Sequence, residues 1–399
     1  MSGRAWDSGA AAVAKASAPA LLGWLRARES EMVSLLLGLA RAESPSDAPA
    51  AQTDVHARIA AELVQLGHRV HAPETPTGGR HLISVPVQRP RGARAQLLVG
   101  HLDTVWPVGT LDRMPATVDD GVVRGPGVYD MKAGIVQGLF ALRALRQFGL
   151  EPPAVPVVLV VCDEEVGSRD GARHVLRLAR RAVRAFVLEP SFGPAGALKT
   201  RRKSVGRFQL VVHGRAAHAG IEPERGISAI QELSRQIQAL FELNDPERGV
   251  TVNVGTIDGG LRANVVAPEA RATVEARVPT DADGARIEAA ILGLQPELTG
   301  VRLEVAGGFG RPALEATPRN ARLWERAAAH AAALGLDLDQ AAVGGASDGN
   351  TTSAYTATLD GLGAVGDGAH AAHEQVVAAA MAERAALLTL LLMDPVEEP

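Results

Sequence analysis

The chain has 399 residues with 46% hydrophobic and 22% charged side chains and a formal net charge of −4. That is the composition of soluble globular domains, long enough for two or three cores. The lack of a basic stripe with interleaved aromatics excludes a nucleic-acid binder. No apolar run reaches the roughly 18 residues of a membrane-spanning helix.

At the N-terminus, Met1 to Ala18 resembles a secretory leader only faintly, because Lys15 interrupts the apolar run and Asp7 precedes it. The single cysteine, Cys162, rules out an intrachain disulfide. A cytoplasmic location is therefore the expectation, with a cysteine-poor periplasmic protein as the alternative.

Residues 20–42 and 53–67 carry apolar positions at helical spacing, separated by the breaker Ser44-Pro45-Ser46. Short apolar runs at His81–Val87, Ala95–Val99, Val155–Cys162 and Ala185–Leu188 read as strands. Helical patterns at Ala133–Phe148 and Ala172–Arg184 lie between them. This alternation predicts an α/β fold with helices on both faces of a sheet.

The character changes near residue 203. Arg207–His213 and Arg271–Val278 alternate polar and apolar side chains, as half-buried antiparallel strands do, and helices are predicted at Gly226–Leu243 and Asp283–Gln295. Long helical patterns return after Pro312, at Arg319–Leu334 and Val376–Met393. The simplest division is one α/β domain over 1–202 and 314–399, interrupted by an α+β domain over 203–313.

Polar residues gather where strands should end: His101-Leu102-Asp103, Gly125-Pro126-Gly127 through Asp130-Met131-Lys132, Asp163-Glu164-Glu165, Glu189-Pro190, and Gly366-Asp367-Gly368-Ala369-His370. Singly, each has an ordinary reading; Asp130 would cap a helix and His101 would be a hydrogen-bonded loop residue. Ligands of open α/β sheets gather outside the carboxyl ends of the strands, so these five loops would share one crevice. Carboxylates and imidazoles concentrated there repel one another unless a cation neutralises them. Histidine with carboxylates and no sulfur suits zinc, with cobalt or manganese as substitutes. Neighbouring glutamates raise a difficulty, since in an extended strand Glu164 and Glu165 would point to opposite faces.

These motifs, in this order, resemble the M20 metallopeptidases, nearest to the glutamate carboxypeptidase (carboxypeptidase G2-like) branch. The resemblance runs from about residue 30 to 393. It implies a zinc-peptidase-like catalytic domain with helices on both faces of a mixed sheet, and an inserted ferredoxin-like α+β domain serving as lid and dimerisation module. It further implies two Zn2+ ions bridged by Asp130, one completed by His101 and Glu189 and the other by Glu165 and His370. His373 lies in the same loop as His370 and is the rival ligand. Glu164 would be the general base, Asp103 would orient His101, and the peptide after Asp130 would be cis.

In the inserted domain, His213 to Gly220 resembles the segment whose histidine reaches across a homodimer, giving His218 the role of oxyanion stabiliser. Asn264 and Arg277, with Arg311 as a weaker candidate, would hold the substrate carboxylate. Gly344 to Asn350 would shape the substrate pocket through its backbone. Arg201-Arg202-Lys203 would be either a cationic attraction for an acidic substrate or a solvated linker. The implied reaction is cleavage of the amide bond to a C-terminal amino acid, glutamate or aspartate, of a peptidyl or N-acyl substrate. The alternative is a deacylase of the acetylornithine deacetylase or succinyl-diaminopimelate desuccinylase type. Small-molecule or short-peptide substrates and a second copy of the chain are the expected partners.

Overall fold

The computed structural model describes residues 18–396, so the faint leader, except for Ala18, lies outside the described residues. Six strands form a mixed sheet: β1 (His68–His71), β2 (Leu82–Pro86), β3 (Ala95–His101), β4 (Val155–Val161), β5 (Ala182–Val187) and β6 (Ala357–Leu359). Their spatial order is β1-β2-β4-β3-β5-β6. β3, β4, β5 and β6 run parallel, while β2 is antiparallel to both β1 and β4.

The sheet is covered on both faces because its parallel strands are apolar at most positions, and the polar exceptions Gln96, Arg184 and Thr358 are themselves buried. Leu98, Val158, Val160 and Phe186 pack into the core shared with helices α1 (Ala133–Gln147) and α3 (Ala378–Met393). Their neighbours Leu97, Val99, Val157, Leu159 and Val187 point the other way, onto Val175 of helix α2 (Ala172–Ala179). Because β3, β4 and β5 run parallel, their carboxyl ends lie side by side at one end of the sheet.

Several boundaries differ from the periodic reading. The helix expected over 20–42 is two, 18–26 and Glu29–Ala40, with a turn between. The helix expected to reach Arg184 stops at Ala179, and β5 begins at Ala182. Arg184 is buried there and donates to Gln96 Oε1 at 2.8 Å and to the Asp394 carbonyl at 2.9 Å, partners too distant in sequence for local pattern to reveal. A short strand, Gln375–Val377, precedes α3.

The second compact unit comprises Arg201–Glu315 and Val343–Ala346. It runs strand Ser204–His213, helix Ala229–Phe241, strands Thr251–Gly259 and Glu269–Val278, helix Asp281–Leu292, and strand Arg302–Phe309. The four strands are antiparallel, with Glu269–Val278 and Ser204–His213 in the centre, which is the ferredoxin-like βαββαβ arrangement. Alternate residues of the central strands are buried against the two helices. Arg202, weighed above as part of a solvated linker, is buried and donates to the Gly345 carbonyl at 3.2 Å. Among the described residues, no helix is long and apolar enough to cross a membrane.

His68 opens β1 with its Nδ1 2.8 Å from Ser84 Oγ, and burial pushes its pKa down to about 4. A depressed histidine pKa means that the unfolded chain takes up the proton first. Stability should therefore be full above about pH 6.5 and fall as the pH drops toward 4. Denaturant midpoints measured from pH 7.5 to 5 should fall less for His68→Asn than for the wild type; equal slopes would remove His68 from the acid response.

Candidate metal centre and active site

β3 terminates in His101, whose imidazole Nδ1 lies 2.9 Å from the Asp103 backbone carbonyl. That contact turns Nε2 outward, 3.2 Å from Asp130 Oδ1 and 3.6 Å from Glu189 Oε1, the latter carboxylate standing just beyond β5. His370 Nε2 lies 3.5 Å from Asp130 Oδ2 and 3.1 Å from Glu165 Oε2. Asp130 thus presents one oxygen to each imidazole. His370 holds this position with a left-handed backbone, φ 61°. His373 is exposed and faces Asp367 Oδ2 at 3.8 Å, so His370 is the histidine that joins the cluster.

The neighbouring glutamates converge because the strand ends before them. β4 stops at Val161, and Glu164 begins a tight turn closed by Gly167 N donating to Glu164 O at 2.7 Å. The Asp103 carboxylate clamps that turn, accepting from Glu164 N and Glu165 N at 3.1 Å each and from Ser46 Oγ at 2.6 Å. The result is two overlapping donor sets. Atoms of His101, Glu164 and Glu189 lie within 4.8 Å of one another, as do atoms of His101, Asp130 and Glu165.

Electrostatics confirm how concentrated the negative charge is. Burial disfavours the His101 imidazolium, yet hydrogen bonds and charge from Asp103 and Asp130 outweigh it and hold the pKa well above the usual histidine value. Hydrogen bonds that the His370 imidazolium donates to Asp130 and Glu165 push its pKa up to about 10. For Asp130, burial raises the pKa, but His101 and His370 prevail and hold it well below the usual carboxylate range. A divalent cation fits this donor set. It is imidazole and carboxylate without sulfur, and Glu165 Oε1 is buried with no hydrogen-bond partner.

The four candidates of the second unit fall into two pairs. His218 and Asn264 are neighbours, since His218 bridges to Val265 and Ala219 N donates to the Asn264 carbonyl at 3.0 Å. Arg277 lies at the far end of strand Glu269–Val278, opposite Val205, and Gly310, next to Arg311, also contacts Val205. Seven residues of strand separate Ala270 from Arg277, roughly 23 Å. Arg277 is already engaged, donating to Glu275 Oε1 and to the Gly344 carbonyl, each at 2.8 Å. The Arg311 carbonyl accepts from Ser204 Oγ.

A family model, peptidase family M20/M25/M40, matches residues 97–394. The chain belongs to this family. It is thus a hydrolase of the M20 metallopeptidases. Carboxypeptidase G2 from Pseudomonas sp. (strain RS-16) is 28% identical over 315 residues, covering 76% of this chain and 74% of that one. Two solved structures share the fold. Aminopeptidase PepT from Bacillus cereus superposes with a TM-score of 0.75 at 21% identity, covering 92% of this chain and 98% of that one. The M20 metallo-carboxypeptidase Sso-CP2 from Sulfolobus solfataricus gives 0.71 at 15% identity, covering 92% and 100%.

Sequence reading missed the group that positions Asp130. Glu374 is buried, and its carboxylate accepts from Gly127 N and Tyr129 N at 2.9 Å, Asp130 N at 3.0 Å and Trp106 Nε1 at 2.8 Å. Burial raises its pKa, and these donors oppose the rise. The loop has no room to yield, since a Cβ at Gly127 (φ 71°) would lie 2.5 Å from Thr104 Cγ2. Its spacing, four residues after His370, was the available signal; its buried donors were not visible in one dimension.

Glu374→Gln replaces an acceptor oxygen with an amide donor facing backbone N–H groups. Divalent-cation affinity, measured by chelator competition, should weaken roughly 10–100-fold with far-UV circular dichroism unchanged. Wild-type affinity would show that Asp130 is placed without Glu374.

Proposed function

We propose that the protein is a metallocarboxypeptidase that cleaves the amide bond to a C-terminal glutamate or aspartate of a peptidyl or N-acyl substrate. The observation that carries the reading is the resemblance to carboxypeptidase G2 across three-quarters of the chain, with every donor of the strand-end cluster in place. Asp130 would bridge two cations, zinc by preference, with His101 and Glu189 on one side and Glu165 and His370 on the other. When bound, such a pair supplies Lewis-acid polarisation of the scissile carbonyl and acidifies the attacking water.

The chain's own residues then have separable tasks. Glu164 takes the proton from the water and returns it to the leaving nitrogen. Asp103 holds the Glu164–Glu165 turn through its two backbone N–H groups, so both carboxylates keep to one crevice. His218 donates to the oxyanion of the tetrahedral intermediate. Asn264, Arg277 and Arg311 bind substrate, and the planar guanidinium of Arg277 grips the terminal carboxylate in two-point fashion by exchanging its Glu275 partner.

A homodimer completes the site in this reading. His218 follows the strand that ends at His213 and Asn264 precedes the strand that begins at Glu269, whereas Arg277 stands near that strand's other end, which supports assigning the pairs to opposite protomers. The outer strand Thr251–Gly259 exposes Ile257 (66%), and Leu261 (72%) follows it, an unpaired edge suited to a second copy.

Turnover of N-acyl glutamate, N-acyl aspartate, N-acetylornithine and N-succinyl-diaminopimelate tests the substrate class. The acyl glutamate or aspartate should be hydrolysed best, and failure on both would transfer the protein to the deacylase type. Glu164→Gln should keep metal content and lose roughly 10²–10⁴-fold in kcat.

Leu261→Asp should convert the dimer to monomer in sedimentation velocity and abolish turnover, and His218→Ala should cost roughly 10²–10³-fold in kcat with dimer and metal intact. A fully active monomer would overturn the shared site.

A further inference from the structure

A second cluster of metal-ligating side chains lies on the other side of the Glu164–Glu165 turn, outside the M20 donor set. His81 immediately precedes β2 and is fully buried, 0% exposed. Its Nδ1 lies 3.4 Å from Cys162 Sγ and 4.0 Å from Asp163 Oδ1. One ligand atom from each of the three residues, a nitrogen, a sulfur and an oxygen, all lie within 4.8 Å of one another. We propose that they form a third cation site, sulfur-containing and suited to a borderline-soft divalent ion such as zinc.

The unpaired atoms point to a ligand. Asp163 is anchored through Oδ2, which accepts from Asp170 N at 2.7 Å and Gly171 N at 3.2 Å, while Oδ1 is buried with no hydrogen-bond partner. His81 Nε2 is likewise buried without a hydrogen-bond partner and faces Asp170 Oδ2 at 3.5 Å. A purely structural histidine would accept the Cys162 N–H at Nδ1, a long 3.3 Å contact, turn Nε2 toward Asp170, and leave Asp163 Oδ1 orphaned.

An ion on Nδ1 takes the lone pair from the long Cys162 N–H contact and gives Asp163 Oδ1 a partner. It also fixes the proton on Nε2, which then donates to Asp170, the carboxylate–histidine–metal pattern that orients metal ligands. A tetrahedral ion with ordinary zinc bond lengths separates nitrogen and sulfur by about 3.5 Å, close to the spacing present between Nδ1 and Sγ. Coordination by the thiolate releases the thiol proton to solvent. Entry is from the Asp163 and Asp170 side, where the side chains are 14% and 20% exposed. Cys162 and Asp163 directly precede Glu164 and Glu165, so an ion here would tether the root of that turn.

The inference does not rest on the proposed carboxypeptidase reaction, and its test reads sulfur. Cys162 is the only cysteine, and the M20 donors are nitrogen and oxygen, so a thiolate-to-cobalt absorption band in the near ultraviolet has one possible origin. Full-length, reduced protein titrated with Co2+ should develop this band, and Cys162→Ser should abolish it while lowering bound cobalt by about one ion per chain. The visible cobalt bands of the M20 donors should persist in that variant. His81→Gln and Asp163→Asn, which conserve shape, should each weaken the cobalt affinity read from the near-ultraviolet band at least tenfold. Saturation with cobalt without a near-ultraviolet band, or a band indifferent to His81→Gln and Asp163→Asn, would overturn the proposal.

Discussion

Crowded carboxylates at the carboxyl edge of one sheet are the constraint to which the rest of the catalytic unit answers. Asp103, Asp130, Glu164, Glu165 and Glu189 converge on His101 and His370. Ionised groups that close are tolerated only with donors or cations between them. The fold supplies donors from the backbone. Asp103 takes two N–H groups and Glu374 takes three, so the carboxylates not aimed at the metal positions are neutralised by the loops they organise. The imidazoles serve the carboxylates that remain, which is why their pKa values rise.

The same arrangement explains the strand-end loops. β3, β4 and β5 are buried on both faces and carry no freedom to reposition a side chain, whereas a turn just beyond a strand can redirect several. Ending β4 at Val161 places Glu164 and Glu165 in a turn rather than in extended backbone. Two adjacent carboxylates can then face one crevice. The turn is also tied to a neighbouring helix: Ser168, just beyond it, donates to buried Asp348 at 2.7 Å, and Asp348 follows the N-cap Ser347.

The second unit follows a different logic. Its sheet is covered by helices on one face only, and its strands alternate accordingly, leaving one face and one edge for other uses. A rigid ferredoxin-like sheet separates groups at its two ends by the length of a strand.

Hydrophobic period and strand-end polarity, both local properties, were enough to read the fold class and to single out five polar loops beyond strand ends. The order of the motifs was enough for the family. Sequence by itself could not decide between His370 and His373, which differ only by three positions in one loop; packing turned the first to Asp130 and left the second in solvent. Nor could it reveal the buried partners of Arg184 and Arg202, the grip of Glu374 on the Asp130 loop, or the meeting of His81 with Cys162 and Asp163. Each of these joins residues far apart in the chain through burial, and an unpaired polar group becomes costly only once the fold has removed water from it.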